Sequence, residues 1–276
     1  MPTTIIHSNT LTAQQTRHIT QALGAEPSAY ARHFRVQHET RAPETLDTLR
    51  EACQLDINTL PENFDAAAVG LLITDMDSTL INIECVDEIA DFIDVKPQVS
   101  AITEAAMRGE LDFTASLKQR VALLTGLNTS ALQHVYDERL QLNPGAEILI
   151  TGLKQRQIKT ALVSGGFTFF TGRLKQRLGL DFTLANVLTQ ENGKLNGTVD
   201  GAIVGAEAKA EYLQQLCKQL GITCQQVIAM GDGANDLHML GIAGLGVAYH
   251  AKPAVRARAD VSIQFGGLDT VLDFLE

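Results

Sequence analysis

Asp75 and Asp77 stand two residues apart, directly after the apolar run Val69 to Ile73. Residues i and i+2 of an extended segment share a face, so both carboxylates emerge together where a buried strand ends. Carboxylates held that close repel each other, and a protein keeps them there for a cation or for acid/base chemistry. Ser164-Gly165-Gly166-Phe167 follows a second apolar run, Thr160 to Val163. A hydroxyl beside glycine-exposed N–H groups at a strand end can cradle an anion; alone, Ser-Gly-Gly is also ordinary turn chemistry. Gly231-Asp232-Gly233-Ala234-Asn235-Asp236 follows a third run, Gln226 to Met230. Its carboxylates suit a hard cation, and Mg2+ commonly takes one or two carboxylates with waters and phosphate oxygens. Lys209 leads a helix whose buried stripe is Leu213, Leu216, Cys217 and Leu220. A cation at a helix start opposes the dipole. An anion between Lys209 and the first-turn N–H groups would explain it; a solvated surface lysine is the plainer alternative.

Two other site types are excluded. As a calcium loop starting at Asp75, the chain would place Leu80 where a glycine is needed and Val86 where a glutamate is needed. Ser164 to Phe167 carries neither a Walker lysine nor G-x-G-x-x-G. Cys53, Cys85, Cys217 and Cys224 lie in no zinc or CxxC spacing, which fits free thiols in a reducing cytoplasm. A net charge of −10 argues against nucleic-acid or anionic-membrane partners. Any phosphate substrate must then be met by local cations. The longest apolar stretch, Ala66 to Ile73, is far below the roughly 20 residues of a membrane span. Met-Pro-Thr-Thr opens no secretory signal. The expectation is a cytoplasmic protein.

The elements that must position these residues are an alternation of strands and amphipathic helices from Val69 onward, the pattern of a parallel α/β sheet. The strands expected are Val69 to Thr74, Thr160 to Ser164, Gln226 to Met230, Gly244 to Ala248 and Val261 to Gln264. About 85 residues of helical text separate the first two, far more than a crossover needs. Stripes at Val86, Ile89, Ala90 and Ile93, at Leu117, Val121 and Leu124, and at Leu132, Val135 and Tyr136 mark an inserted helical cap over residues 84 to about 142. Asn143-Pro144-Gly145 returns the chain. Val187 to Thr189 and Leu195 to Val199, joined through Asn192-Gly193, read as a hairpin insertion over about 186–200. Residues 1–65 read as a small α+β domain in β-α-β-α order: Thr3 to His7, Thr12 to Leu23 with Thr12 as N-cap and Gly24 past the end, His33 to Gln37, then Leu46, Leu49 and Cys53 at helical spacing. Pro61 to Asp65 is the expected linker to the main domain, residues 66–276.

DMDST, LVSGGF, AKAE and GDGAND, in this order, resemble the four motifs of the haloacid dehalogenase superfamily of phosphatases. Glu84 to Ala90, Met107 to Phe113 and Ser116 to Val121 resemble the cap of its phosphoserine phosphatases. The resemblance covers Val69 to Glu276 and implies a Rossmann-like sheet with flanking helices. It implies Asp75 as nucleophile and Asp77 as general acid then base. It implies Mg2+ (Mn2+ also accepts oxygen ligands) held by Asp75, the Asp77 backbone carbonyl and Asp232. Asn235 and Asp236 would order the surroundings, and Ser164, Gly165 and Lys209 would hold the phosphoryl oxygens. Glu84 would take the ammonium of phosphoserine and Arg120 its carboxylate, under a lid of Met107 and Phe113. Relatives in bacteria often carry a regulatory ACT-like domain at the N-terminus. Two alternatives stand beside hydrolysis: transfer of the phosphoryl group to an alcohol such as homoserine, and a non-catalytic serine-binding regulator. The intact Asp75, Asp77, Lys209 and Asp232 count against the second.

Overall fold

A computed structural model describes residues 2–38, 43–107 and 110–276. The N-terminal part contains β1 (Thr3–Ile6), α1 (Ala13–Leu23), β2 (Ser28–Ala29), β3 (Phe34–Gln37), α2 (Pro43–Cys53) and β4 (Ile57–Thr59). Its sheet runs β2-β3-β1-β4, antiparallel throughout. Thr12 caps α1 by accepting from the Gln15 N–H, and Gly24 ends it at φ 75°. The expected β-α-β-α order is short by β2 and β4. Strands of two and three residues are too brief for a period of two to show. Ile6, Ile19, Leu23, Val36, Leu49, Cys53 and Ile57 form a hydrophobic cluster of their own here.

The remainder begins with β5 (Leu71–Thr74), followed by α3 (Cys85–Asp91), α4 (Lys96–Met107), α5 (Phe113–Ala122) and α6 (Ser130–Glu138), which occupy the expected cap. Then come α7 (Ala146–Gln155), β6 (Lys159–Phe167), α8 (Thr168–Leu178), β7 (Phe182–Glu191), β8 (Lys194–Asp200) and α9 (Ala206–Leu220). The chain finishes with β9 (Val227–Gly231), α10 (Leu237–Ile242), β10 (Leu245–Tyr249), α11 (Pro253–Arg256), β11 (Val261–Ile263) and tight turns over Leu268–Leu275. Seven strands pair in the order β11-β10-β9-β5-β6-β7-β8. All pairs are parallel except β7 with β8.

Alternate strand residues serve opposite cores. Leu72, Leu162, Ile228 and Val247 pack with α7, α8 and the C-terminal turns. Leu71, Ile73, Ala161, Val163 and Ala229 pack with α9 and α10. The chain thus leaves β6 toward one face and β9 toward the other, and β5 lies between them. Divergence of this kind opens a crevice at the carboxyl ends of the strands.

The hairpin over about 186–200 needs a correction. It exists, with Asn192 at φ 51° and Gly193 at φ 75° in its turn, but its first strand is no insertion. β7 starts at Phe182 and pairs in parallel with β6, Ala161 beside Phe182. It is a strand of the main sheet that runs on into the hairpin.

Candidate active site

Thr74 is flanked in register by Leu162 of β6 and Met230 of β9. Beyond this register one edge of the sheet gathers Asp75 and Asp77 in the middle, Ser164, at the irregularity of β6 between Val163 and Phe167, to one side, and Asp232 to the other. The turn after β5 is tight. Ser78 adopts a left-handed conformation, φ 55°, which costs a residue bearing Cβ on the order of 1 kcal/mol. Its N–H donates to Ile83 O at 3.3 Å and its Oγ to Glu84 Oε1 at 2.7 Å. These bonds offset the strain and tie the turn after β5 to the residue that precedes α3.

Lys209 is fully buried and donates to Asp75 Oδ1 and to Asp236 Oδ1, each at 2.7 Å. The surface-lysine alternative therefore fails. Two carboxylates, Asp75 and Asp236, hold its ammonium at the start of α9. Burial alone would lower the Lys209 pKa, but Asp75 and Asp236 outweigh it and raise it. Burial, then the charge of Asp236, pushes the Asp75 carboxyl well above its ordinary value, against the pull of Lys209. Asp77 faces different neighbours. It accepts from the Cys85 N–H at 3.0 Å and the Ser164 hydroxyl at 3.4 Å. Burial raises its pKa, with the Cys85 N–H acting in the opposite sense. The two aspartates thus differ in environment, an arrangement that can give neighbouring carboxyls different protonation behaviour.

Asp75, Asp77, Glu84, Phe113, Arg120, Gly165, Asp232 and Asn235 line one cavity of about 620 Å³. Ser164, Lys209 and Asp236 lie behind it, without exposure. The expected residues are brought together, except that the side chain of Met107, at the end of α4, lies outside the described residues. Gly165 and Gly166 are there for space. A Cβ on Gly165 would sit 2.9 Å from the Phe113 ring, and one on Gly166 2.8 Å from Asp77 Oδ2. On the cap side, Arg120 Nε and Asp87 Oδ1 are buried without a hydrogen-bond partner among the described residues. Glu84 is pushed up to about 7 by burial and by Asp77, partly offset by the Ser78 hydroxyl.

Asp75, Asp232 and Asp236 bring carboxylate oxygens within 4.8 Å of one another. One lysine cannot neutralise them, and burial followed by Asp236 pushes Asp232 up to about 6. Such a donor set suits a hard cation. Asp236 is already engaged, by Lys209 on Oδ1 and by the Gly233 N–H at 3.0 Å on Oδ2. That leaves Asp75 and Asp232 as the side-chain donors and Asp236 as the support of the lysine.

Sequence reasoning missed the supports. Thr79 donates to Asp232 Oδ1 at 3.0 Å, and Asn186 donates to Gly165 O at 2.8 Å. Asn143 donates to Thr79 O at 2.8 Å and Ile81 O at 3.1 Å. Lys252 also lines the cavity; its signal was its place just after a fourth strand at the same edge.

The model of the haloacid dehalogenase-like hydrolases matches residues 69–244. The chain belongs to this family. A phosphoserine phosphatase of Polaromonas sp. is 53 % identical over 227 residues, 80 % of this chain and 96 % of that one. A crystal structure of a probable phosphoserine phosphatase from Vibrio cholerae superposes with a TM-score of 0.86 at 36 % identity, covering 99 % of this chain and 86 % of that one. A phospho-aspartyl intermediate analogue of phosphoserine phosphatase matches with a TM-score of 0.70 at 40 % identity, over 75 % of this chain and 99 % of that one. This haloacid dehalogenase-like hydrolase contains, among its described residues, no helix long and apolar enough to cross a membrane.

Proposed function

We propose that the chain hydrolyses O-phospho-L-serine to serine and phosphate, the last step of serine biosynthesis in the cytoplasm. The observation that carries this reading is the buried Asp75–Lys209–Asp236 cluster, whose Asp75 lines one cavity with Asp77, Glu84 and Arg120. A carboxylate of Asp75 attacks phosphorus, the bond to the serine oxygen breaks, and Asp77 donates its proton to that oxygen. Water then attacks the phospho-aspartate, Asp77 takes the proton back, and phosphate leaves with Asp75 restored. The raised pKa of Asp77 suits the first half, because an acid must hold its proton near neutral pH. Lys209 orients Asp75 and supplies positive charge to the phosphoryl oxygens, joined by the Ser164 hydroxyl and the Gly165 N–H. Mg2+ between Asp75, Asp232 and the Asp77 carbonyl would supply further positive charge there. Arg120 would present a planar fork to the substrate carboxylate and Glu84 would take the ammonium. Phe113, packed against Gly165, would help to exclude water from the reacting groups.

We also propose a division near residue 65, with the N-terminal part an ACT-like regulatory domain. Its separate sheet and separate hydrophobic cluster support this. The test of the main reading is phosphate release from a panel of phosphomonoesters, with and without chelator. Phosphoserine should be the preferred substrate, chelation should abolish turnover, and Asp75→Asn should lower kcat by about 10³-fold or more. Activity that persists without metal, or in Asp75→Asn, would sink the mechanism.

A further inference from the structure

Lys209 is committed before any substrate arrives, since Asp75 and Asp236 already hold its ammonium. The cavity in front of it is lined by Asp75, Asp77, Glu84, Asp87 and Asp232, and the whole chain carries a net charge of −10. A phosphomonoester is close to a dianion at neutral pH, so a cation at the mouth of this acid-lined cavity would favour its approach. Arg120 sits on the cap and is only partly exposed. Among the described residues, the exposed cation lining this cavity is Lys252, and no ion pair engages it there.

Its position is built into the fold. β10 pairs with β9 so that Ala248 lies beside Gly231, the residue before Asp232. The chain past β10 therefore emerges next to the Asp232 loop. The backbone that carries Lys252 is held on both sides: the His250 N–H donates to Ile263 O at 2.8 Å. The Lys252 carbonyl accepts from the Val255 N–H at 2.9 Å and the Arg256 N–H at 3.1 Å, with Pro253 at the first position of α11. The backbone is anchored, and the ammonium has no ion pair among the described residues. A flexible point charge on a rigid base is suited to drawing in an anion without holding it.

We propose that Lys252 is a substrate-capture residue, attracting the phosphate group of the incoming phosphomonoester at the mouth of the cavity and passing it inward to Asp75. This rests on the phosphomonoester reading above, though not on serine as the alcohol. The experiment compares wild type with Lys252→Ala, Lys252→Glu and Lys252→Arg, using the metal-loaded protein, phosphoserine and p-nitrophenyl phosphate, over a range of KCl concentrations. Lys218→Ala, on the exposed end of α9, controls for the change in overall charge. At low salt, Lys252→Ala should lower kcat/KM about three- to tenfold through KM on both substrates. Its dependence on salt should be shallower than that of wild type. Lys252→Glu should be worse, Lys252→Arg close to wild type, and Lys218→Ala unchanged. An unaltered KM, a loss of the same size at every salt concentration, or a loss confined to phosphoserine would overturn the proposal; the last would assign Lys252 to the carboxylate. If wild type turns over p-nitrophenyl phosphate but not phosphoserine, the proposed substrate fails while Lys252 is still tested on the ester that reacts.

Discussion

Arg120 shows how a single side chain can be poised for a ligand. Its Nε is buried without a hydrogen-bond partner among the described residues, although it lines the cavity. An unpaired charged donor of that kind is costly, and a charge-assisted bond to a ligand carboxylate recovers about 1.5–3 kcal/mol. Arg120→Ala should therefore raise KM for phosphoserine roughly 10- to 100-fold and leave p-nitrophenyl phosphate within about twofold. Equal effects on both would remove Arg120 from recognition. Glu84 adds a pH signature. In the proposed role it would bind ammonium only as a carboxylate, and burial pushes its pKa up to about 7. Affinity for phosphoserine should weaken as pH falls through 7, and Glu84→Gln should abolish that slope in a KM titration. At this scale the sequence was legible wherever residues sat in motifs. Lys209 was half legible: it stands four residues before Leu213 and seven before Leu216, on the stripe that α9 buries, so the spacing already opposed a surface position. The Cys85 N–H on Asp77 was not legible, because a backbone donor leaves no trace in residue type.

Elements decide how the cap meets the body, and the segment 143–145 is where the chain crosses back. Asn143 bonds the carbonyls of Thr79 and Ile81, while Gly145 stands at φ 82° against Asp269, where a Cβ would collide with the aspartate backbone and side chain. Gly145→Ala must therefore strain the backbone and displace the C-terminal turns. A loss of about 1–3 kcal/mol is expected, read as a fall in Tm of roughly 2–4 °C per kcal/mol for a chain of this size. A Tm equal to wild type would show that the return turn adapts freely. The helices α3 to α6 were legible from length and stripes alone, because so many residues between two parallel strands must build something. The main-sheet role of β7 was hidden. Its first residues, Phe182 to Leu184, are only half-buried, so the continuous apolar text of a buried strand is missing, and only the exposed hairpin beyond stood out.

The N-terminal part and the main sheet are joined by polar contacts that no local pattern could forecast, since the partners lie about two hundred residues apart. Asp56 accepts from the N–H groups of Gln264 and Gly266, both at 2.7 Å. Asn58 exchanges two bonds with the Ser262 backbone at 2.9 Å. Together they cover the edge strand β11, which would otherwise present unpaired backbone groups. Beside this seam lies His33, fully buried. Arg35 Nε donates to its Nε2 at 2.8 Å, so the ring is neutral with its proton assigned to Nδ1. Burial lowers its pKa from 6.5 to about 4, with Asp273 pulling the other way and Arg35 reinforcing the fall. A histidine depressed on folding binds its proton more tightly in the unfolded chain, so stability is full above pH 6.5 and declines as pH falls toward 4. The shift corresponds to at most about 3 kcal/mol. Other groups titrate in that range too, Glu84 and Asp232 with raised values that act in the opposite direction. The comparison that isolates His33 is therefore wild type against His33→Gln, unfolded in urea at pH 7 and at pH 4.5. Wild type should lose more stability between the two pH values than the variant, by about 2 kcal/mol. An equal loss in both would show that the seam between the two sheets does not sense this proton.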